Sequence, residues 1–139
     1  MNLLKIHHFS FSVNDIEKGI SFYRNAFGYE LTFQENNMEK QIQSMTGIQN
    51  IICNIAQMKN DNDPNIIELI EFRNFKNNLK IDYPIYPGSA HVCFIVDNLS
   101  TMLEKIYKLG AIKLGEITKF HWYILMTTRL FFALAFSRA

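Results

Sequence analysis

Two histidines stand at equivalent points of a repeated phrase. Residues 8–13 read His-Phe-Ser-Phe-Ser-Val and residues 91–96 read His-Val-Cys-Phe-Ile-Val, and each phrase runs on into an aspartate, Asp15 or Asp97, and a helix-like stretch. The interval from Asp15 to Gly28 equals that from Asp97 to Gly110. Imidazole is a common metal ligand, and two strands related by pseudo-symmetry can aim two such rings at one point. Taken singly, a strand histidine is more often a hydrogen-bonded core or surface residue than a ligand. Matched placement is what sets His8 and His91 apart. His7, one residue off register, is expected on the helix side of its strand, and His121 has no counterpart in the repeat, so both are read as structural.

The elements that must carry these side chains follow a β, α, β, β, β order that starts again halfway along the chain. Lys5 to Val13 alternates, with Phe9, Phe11 and Val13 on one face and His8, Ser10 and Ser12 on the other. From Asn14 or Asp15, either able to cap a first turn, Ile16, Ile20, Tyr23 and Phe27 recur at helical spacing until Gly28 permits a left-handed exit. Tyr29 to Gln34, Ile51 to Met58 and Ile66 to Phe72 read as three further strands, separated by Asn-rich or Gly-containing segments and by Asp63-Pro64-Asn65. In the last of these, Glu68 faces away from Ile67 and Leu69, which pack under the helix, and so points into the same space as His8. In the second copy Val92, Phe94 and Val96 share one strand face and His91, Cys93 and Ile95 the other. Leu99, Leu103, Ile106 and Leu109 form a helix stripe closed by Gly110, and Ala111 to Glu116 is expected as a strand. The first module spans residues 4–74, a linker without sustained period residues 75–87, and the second module residues 88–139.

Composition narrows the field of partners. A chain of 139 residues, 48% apolar, supports one domain with a real core and not two independent ones. With 14 basic and 13 acidic residues the net charge is +1, which gathers neither nucleic acid nor an anionic membrane. Cys53 and Cys93 both lie in apolar strand-like runs, so a reducing, cytoplasmic location is expected, and the N-terminus lacks a secretory signal pattern. The apolar run Trp122 to Phe136, broken by Arg129, is shorter than the roughly 20 residues a spanning helix needs. It is read as two core strands, or as a surface that a second copy covers.

The stretch Ile6-His7-His8-Phe9-Ser10-Phe11-Ser12-Val13-Asn14-Asp15, with Ser21-Phe22-Tyr23-Arg24 and Phe27-Gly28-Tyr29, resembles the opening signature of the vicinal oxygen chelate superfamily of glyoxalases, bleomycin-resistance proteins and extradiol dioxygenases. Ile67-Glu68-Leu69-Ile70-Glu71 resembles its module-closing strand. The resemblance implies an α+β fold in which two βαβββ modules make one curled mixed sheet, a single glyoxalase-like domain over residues 1–139. It also implies a divalent metal held by first-strand histidines and fourth-strand carboxylates or amides, here His8, Glu68 and His91, and a homodimer. The fourth ligand departs from the pattern: carrying the His8-to-Glu68 interval forward from His91 runs past Ala139, and no Asp or Glu follows Glu116. A truncated or altered C-terminal module is therefore expected, with a shifted reading frame as one origin.

A His, Glu and His cluster implies Lewis-acid chemistry on a small molecule with neighbouring oxygens, whose enolate the cation stabilises as a proton leaves the adjacent carbon. Glu68 is the expected base. Mixed N and O ligation admits Zn, Ni, Co, Mn or Fe. The resemblance points to a lyase or isomerase of the lactoylglutathione lyase or epimerase type. The alternatives are a bleomycin-resistance-type protein that sequesters a small molecule in a cup rich in its twelve Phe and six Tyr, and an extradiol-type dioxygenase.

Overall fold

The computed structural model describes residues 6–74 and 92–113. They belong to two compact units, one holding residues 6–74 and the other residues 92–113. The expected linker, His91, His121 and the apolar run at 122–136 lie outside the described residues.

The first unit runs β1 (His8–Ser12), α1 (Ile16–Phe27), β2 (Glu30–Met38), α2 (Lys40–Thr46), β3 (Ile52–Asn60) and β4 (Asp63–Arg73). Its sheet has the order β1-β4-β3-β2, with β1 parallel to β4 and the other neighbours antiparallel. This open, mixed sheet with a helix on one face makes the fold α+β and realises the first βαβββ module, with α2 inserted between β2 and β3.

Helix α1 forms where local chemistry dictates it. The Asp15 side chain accepts from Lys18 N at 3.0 Å, and the backbone N–H of Gly28, in the left-handed region at φ 71°, donates to Tyr23 O and Arg24 O. Between these caps Ile16, Ile20, Phe22, Tyr23 and Ala26 are buried. Phe27, expected in the stripe, is only half-buried, while Phe22 and Ala26 join it. The sheet supplies Ala56, Met58, Ile67 and Leu69 to this core. Gly19 lies close against the sheet: a methyl group placed there would stand 3.0 Å from Leu69 Cδ1. On the sheet's other face, α2 and Ile51 close over one end, where Ile42, Ile51 and Cys53 pack with Met38, Ile70 and Phe72.

The structure corrects two boundaries. Asp63-Pro64-Asn65 does not separate strands but begins β4; the turn is at Asp61 and Asn62, and a proline is tolerated at the start of a strand. β2 continues through the Asn-rich segment to Met38 because Asn37, at φ 57°, takes up an irregularity between Glu35 and Met38. There Asn37 N donates to Asn54 Oδ1 at 2.9 Å, and Arg73 donates to Asn37 Oδ1 at 2.7 Å. The short helix α2 is a further addition.

In the second unit α3 (Leu99–Lys108) follows the repeated phrase. Its cap is Asn98, whose side chain accepts from Thr101 N at 3.0 Å. Of the expected stripe, Ile106 is buried, Leu99 and Leu103 are half-buried and Leu109 is exposed. Residues 92–96 carry a single bridge at Cys93 in place of the expected strand. Residues 111–113 are not in a strand either; the N–H of Ala111 donates to Ile106 O at 3.0 Å, closing the helix end.

Candidate functional site

The open face of the sheet is set by pleat parity. Ile67 and Leu69 of β4 turn toward α1, so Ile66, Glu68 and Ile70 turn away, and the parallel register brings His8 opposite Ile66, Ser10 opposite Glu68 and Ser12 opposite Ile70. On the other side Gln57 lies opposite Glu68 and Phe33 opposite Gln57. One row therefore crosses all four strands, Phe33, Gln57, Glu68 and Ser10, with His8 diagonal to Glu68.

Glu68 is the only charged residue among the described residues that is buried, at 6% exposure. A carboxylate withdrawn from water is costly unless it is hydrogen-bonded or paired. Gln57 Nε2 donates to Glu68 Oε2 at 2.7 Å, and Glu68 Oε1 faces His8 Nε2 at 3.4 Å. The His8 side chain is itself 37% exposed, so the pair opens to solvent on the histidine side. His7 also belongs here: its Nδ1 lies 2.9 Å from His8 Nδ1, with the two rings nearly perpendicular at 87°. The expectation that His7 faces the helix does not hold, because β1 begins at His8 and strand alternation does not govern the residue before it.

The Cys53 thiol is fully buried, and burial first, then the charges of Glu35 and Glu68, push it above the ordinary thiol range. It is a packed thiol and not a nucleophile. A second polar cluster lies at the far end of β4. There Tyr29 donates to Asp63 Oδ2 at 2.6 Å, and Asn65 donates to Asp63 Oδ1 through its backbone N–H at 2.9 Å and its side chain at 2.8 Å. Burial acts to raise Asp63, but these bonds outweigh it and hold the carboxyl below its ordinary value. The Tyr29 hydroxyl is pushed well up, by burial first and then by Asp63. This cluster ties the start of β4 to Tyr29, just past the Gly28 cap of α1, and is structural.

Of the sequence-predicted ligands, His8 and Glu68 are brought together, and His91 lies outside the described residues. Among the described residues no group of three His, Cys, Asp or Glu side chains gathers around one point. The pair nevertheless fits a cation: two ligand atoms each about 2.1 Å from one ion at a tetrahedral angle stand about 3.4 Å apart. Gln57, which sequence reading missed, orients the carboxylate so that its other oxygen faces the histidine.

A βαβββ module whose open face sets a first-strand histidine beside a fourth-strand glutamate defines a recognisable class of small-molecule proteins. The chain matches the family model of the Glyoxalase/Bleomycin resistance protein/Dioxygenase superfamily over residues 5–122, and it belongs to that superfamily. Among solved structures, a glyoxalase family protein from Bacillus cereus is similar at 24% identity and TM-score 0.75, over 87% of this chain and 82% of that one. The genomically encoded fosfomycin resistance protein FosX from Listeria monocytogenes is similar at 15% identity and TM-score 0.54, over 80% of this chain and 74% of that one. Both likenesses concern the fold. No curated protein matches the chain. Among the described residues no helix is long and apolar enough to cross a membrane.

Proposed function

We propose that the chain is a metal-dependent lyase or isomerase of the glyoxalase type, acting on a small substrate with vicinal oxygens, with His8, Glu68 and His91 as its ligand set. The observation that carries this reading is the approach of His8 Nε2 to within 3.4 Å of Glu68 Oε1, on the open face of a module whose other face is closed by α1. A divalent ion bound there supplies the positive charge that stabilises a developing enolate. The chain's own groups do the rest. Gln57 holds Glu68 Oε2, so Oε1, the oxygen turned to His8, is the one left both to ligate the ion and to take a substrate proton from the carbon beside the two oxygens. Ser10, next to Glu68 in the same row, offers a hydroxyl for orienting a substrate oxygen, and Phe33, 44% exposed at the other end, offers an apolar wall.

The test is metal content of protein purified without chelator, wild type beside His8→Ala and Glu68→Ala. Near-stoichiometric metal in wild type, lost in both variants, supports the reading; metal absent from wild type or unchanged in the variants overturns it. Turnover of methylglyoxal with a thiol, and of fosfomycin in a parallel arm, then separates a lyase from a protein that only sequesters its ligand.

A further inference from the structure

We propose that His7 is a positioning residue that accepts a hydrogen bond from His8 Nδ1–H and thereby keeps His8 Nε2 unprotonated toward Glu68. This deepens, and rests on, the reading of His8 as a ligand. A neutral imidazole carries one N–H and one acceptor nitrogen. The 2.9 Å contact joins the Nδ1 atoms of both rings, so one of them must donate and the other accept. If His7 donated, the proton of His8 would sit on Nε2, the atom 3.4 Å from Glu68 Oε1, and His8 would have no electron pair to offer there. If a neutral His8 donates, its Nε2 lone pair is turned toward the Glu68 oxygen, and the two are placed to take a cation between them. Metal-bound histidines are held in this way by an acceptor on the other ring nitrogen, which fixes both tautomer and ring orientation.

Two features of the chain make His7 suited to the task. It precedes β1, so its ring is not committed to either sheet face and is free to turn onto its neighbour. It is also exposed, so it fills no core space and its removal leaves no cavity. Its contribution is therefore separable from folding. The sequence shows only two adjacent histidines; the Nδ1-to-Nδ1 contact is what distinguishes a pair acting together from a ligand with an idle neighbour.

The experiment measures zinc affinity by competition with a chromophoric chelator for wild type, His7→Ala, His7→Asn and His8→Ala. ¹⁵N-detected tautomer assignment of His8 in the metal-free proteins accompanies it. Loss of His8 is expected to abolish tight zinc binding. His7→Ala is expected to weaken it about tenfold and to release His8 from the Nδ1–H tautomer. His7→Asn, whose amide oxygen can accept the same hydrogen bond, is expected to recover most of the affinity. If wild type binds no zinc, or His8→Ala binds as wild type does, the ligand reading and the His7 proposal both fall. If His8→Ala loses zinc while His7→Ala keeps wild-type affinity and the same His8 tautomer, only the role of His7 falls.

Discussion

The two faces of the first unit's sheet are made from the same strands, yet they are built for different purposes. On the face under α1 successive inward residues are apolar and sealed: Ala56, Met58 and Leu69 have no exposed surface and Ile67 is 3% exposed. One residue along each strand, the other face presents His8, Ser10, Gln57 and Glu68, and among the described residues the apolar cluster on that face lies at the α2 end. A one-residue change of parity thus separates the groups that hold the fold from the groups that can do chemistry. The separation predicts that substitutions on the covered face change stability with little effect on ligand binding by the folded protein, and that those on the open face do the reverse.

The largest expected effect is on the covered face. Leu69→Ala removes a fully buried side chain beneath α1 and is expected to cost about 3 kcal/mol, read as a lower urea midpoint, with zinc affinity of the folded fraction within about twofold of wild type. A large loss of zinc affinity in folded protein would break the comparison.

Tyr29→Phe comes next, because the hydroxyl donates to a carboxylate in the cluster that fixes β4. The expected cost is about 1 to 2 kcal/mol at neutral pH. The sign with pH follows from the two shifts. Asp63 is held low in the folded state, so its contribution is present above about pH 4 and is lost as pH falls through its depressed folded value. Tyr29 is raised, so its contribution is present below about pH 10 and is lost as pH rises through its folded value. The deficit of the variant relative to wild type should therefore be greatest between these limits and shrink at both ends. Urea denaturation of both proteins at about pH 3 and about pH 7 reads the acid side.

On the open face, Glu68→Gln keeps the shape and an oxygen to accept from Gln57 while removing the charge. It is expected to change stability by less than about 1 kcal/mol in either direction, since the cost of burying a charge offsets what the pair contributes. Zinc affinity should fall at least tenfold, measured by the same chelator competition. A stability loss as large as that of Leu69→Ala would show that Glu68 is structural and the two faces are not divided as argued.

How far this arrangement was legible in the sequence depends on the range of the interaction concerned. Helix α1, with Asp15 and Gly28 at its ends, rests on contacts within a few residues and is plain from the chain alone. So is the shared face of His8 and Glu68, which follows from alternation on two adjacent parallel strands. What escaped depends on distant partners. Counting strictly back from the Asn60 and Asp63 pair sets Gln57 opposite Ile66; the irregularity between Met58 and Asn60 moves it opposite Glu68, and nothing local announces that shift. β2 extends past Glu35 because Asn54 and Arg73 satisfy Asn37 from across the sheet. The helix α2 has no side-chain cap at Glu39 and only seven residues, too little for periodicity to reveal. In the second copy the cap is Asn98, one residue past the aspartate that repeats Asp15, since either side chain can accept the first-turn N–H and the choice rests on backbone geometry.

The smallest net effect tests how tightly the covered face is closed. Gly19 lies within α1, where alanine is favoured over glycine by about 1 kcal/mol. A methyl group there, however, would meet Leu69 Cδ1 at 3.0 Å, with Val13 Cγ1 at 3.7 Å beside it. Leu69 is fully buried, so its end cannot swing into solvent to make room, and the crowding is expected to cancel the gain. Gly19→Ala alone should therefore leave the urea midpoint nearly unchanged. In the Leu69→Ala background the obstructing carbon is gone, and the same substitution should stabilise by about 1 kcal/mol, a coupling that a double-mutant cycle isolates. Equal effects in both backgrounds would mean that the helix and sheet can shift apart at this point, and that the sealed face is less rigid than the contact between Gly19 and Leu69 implies.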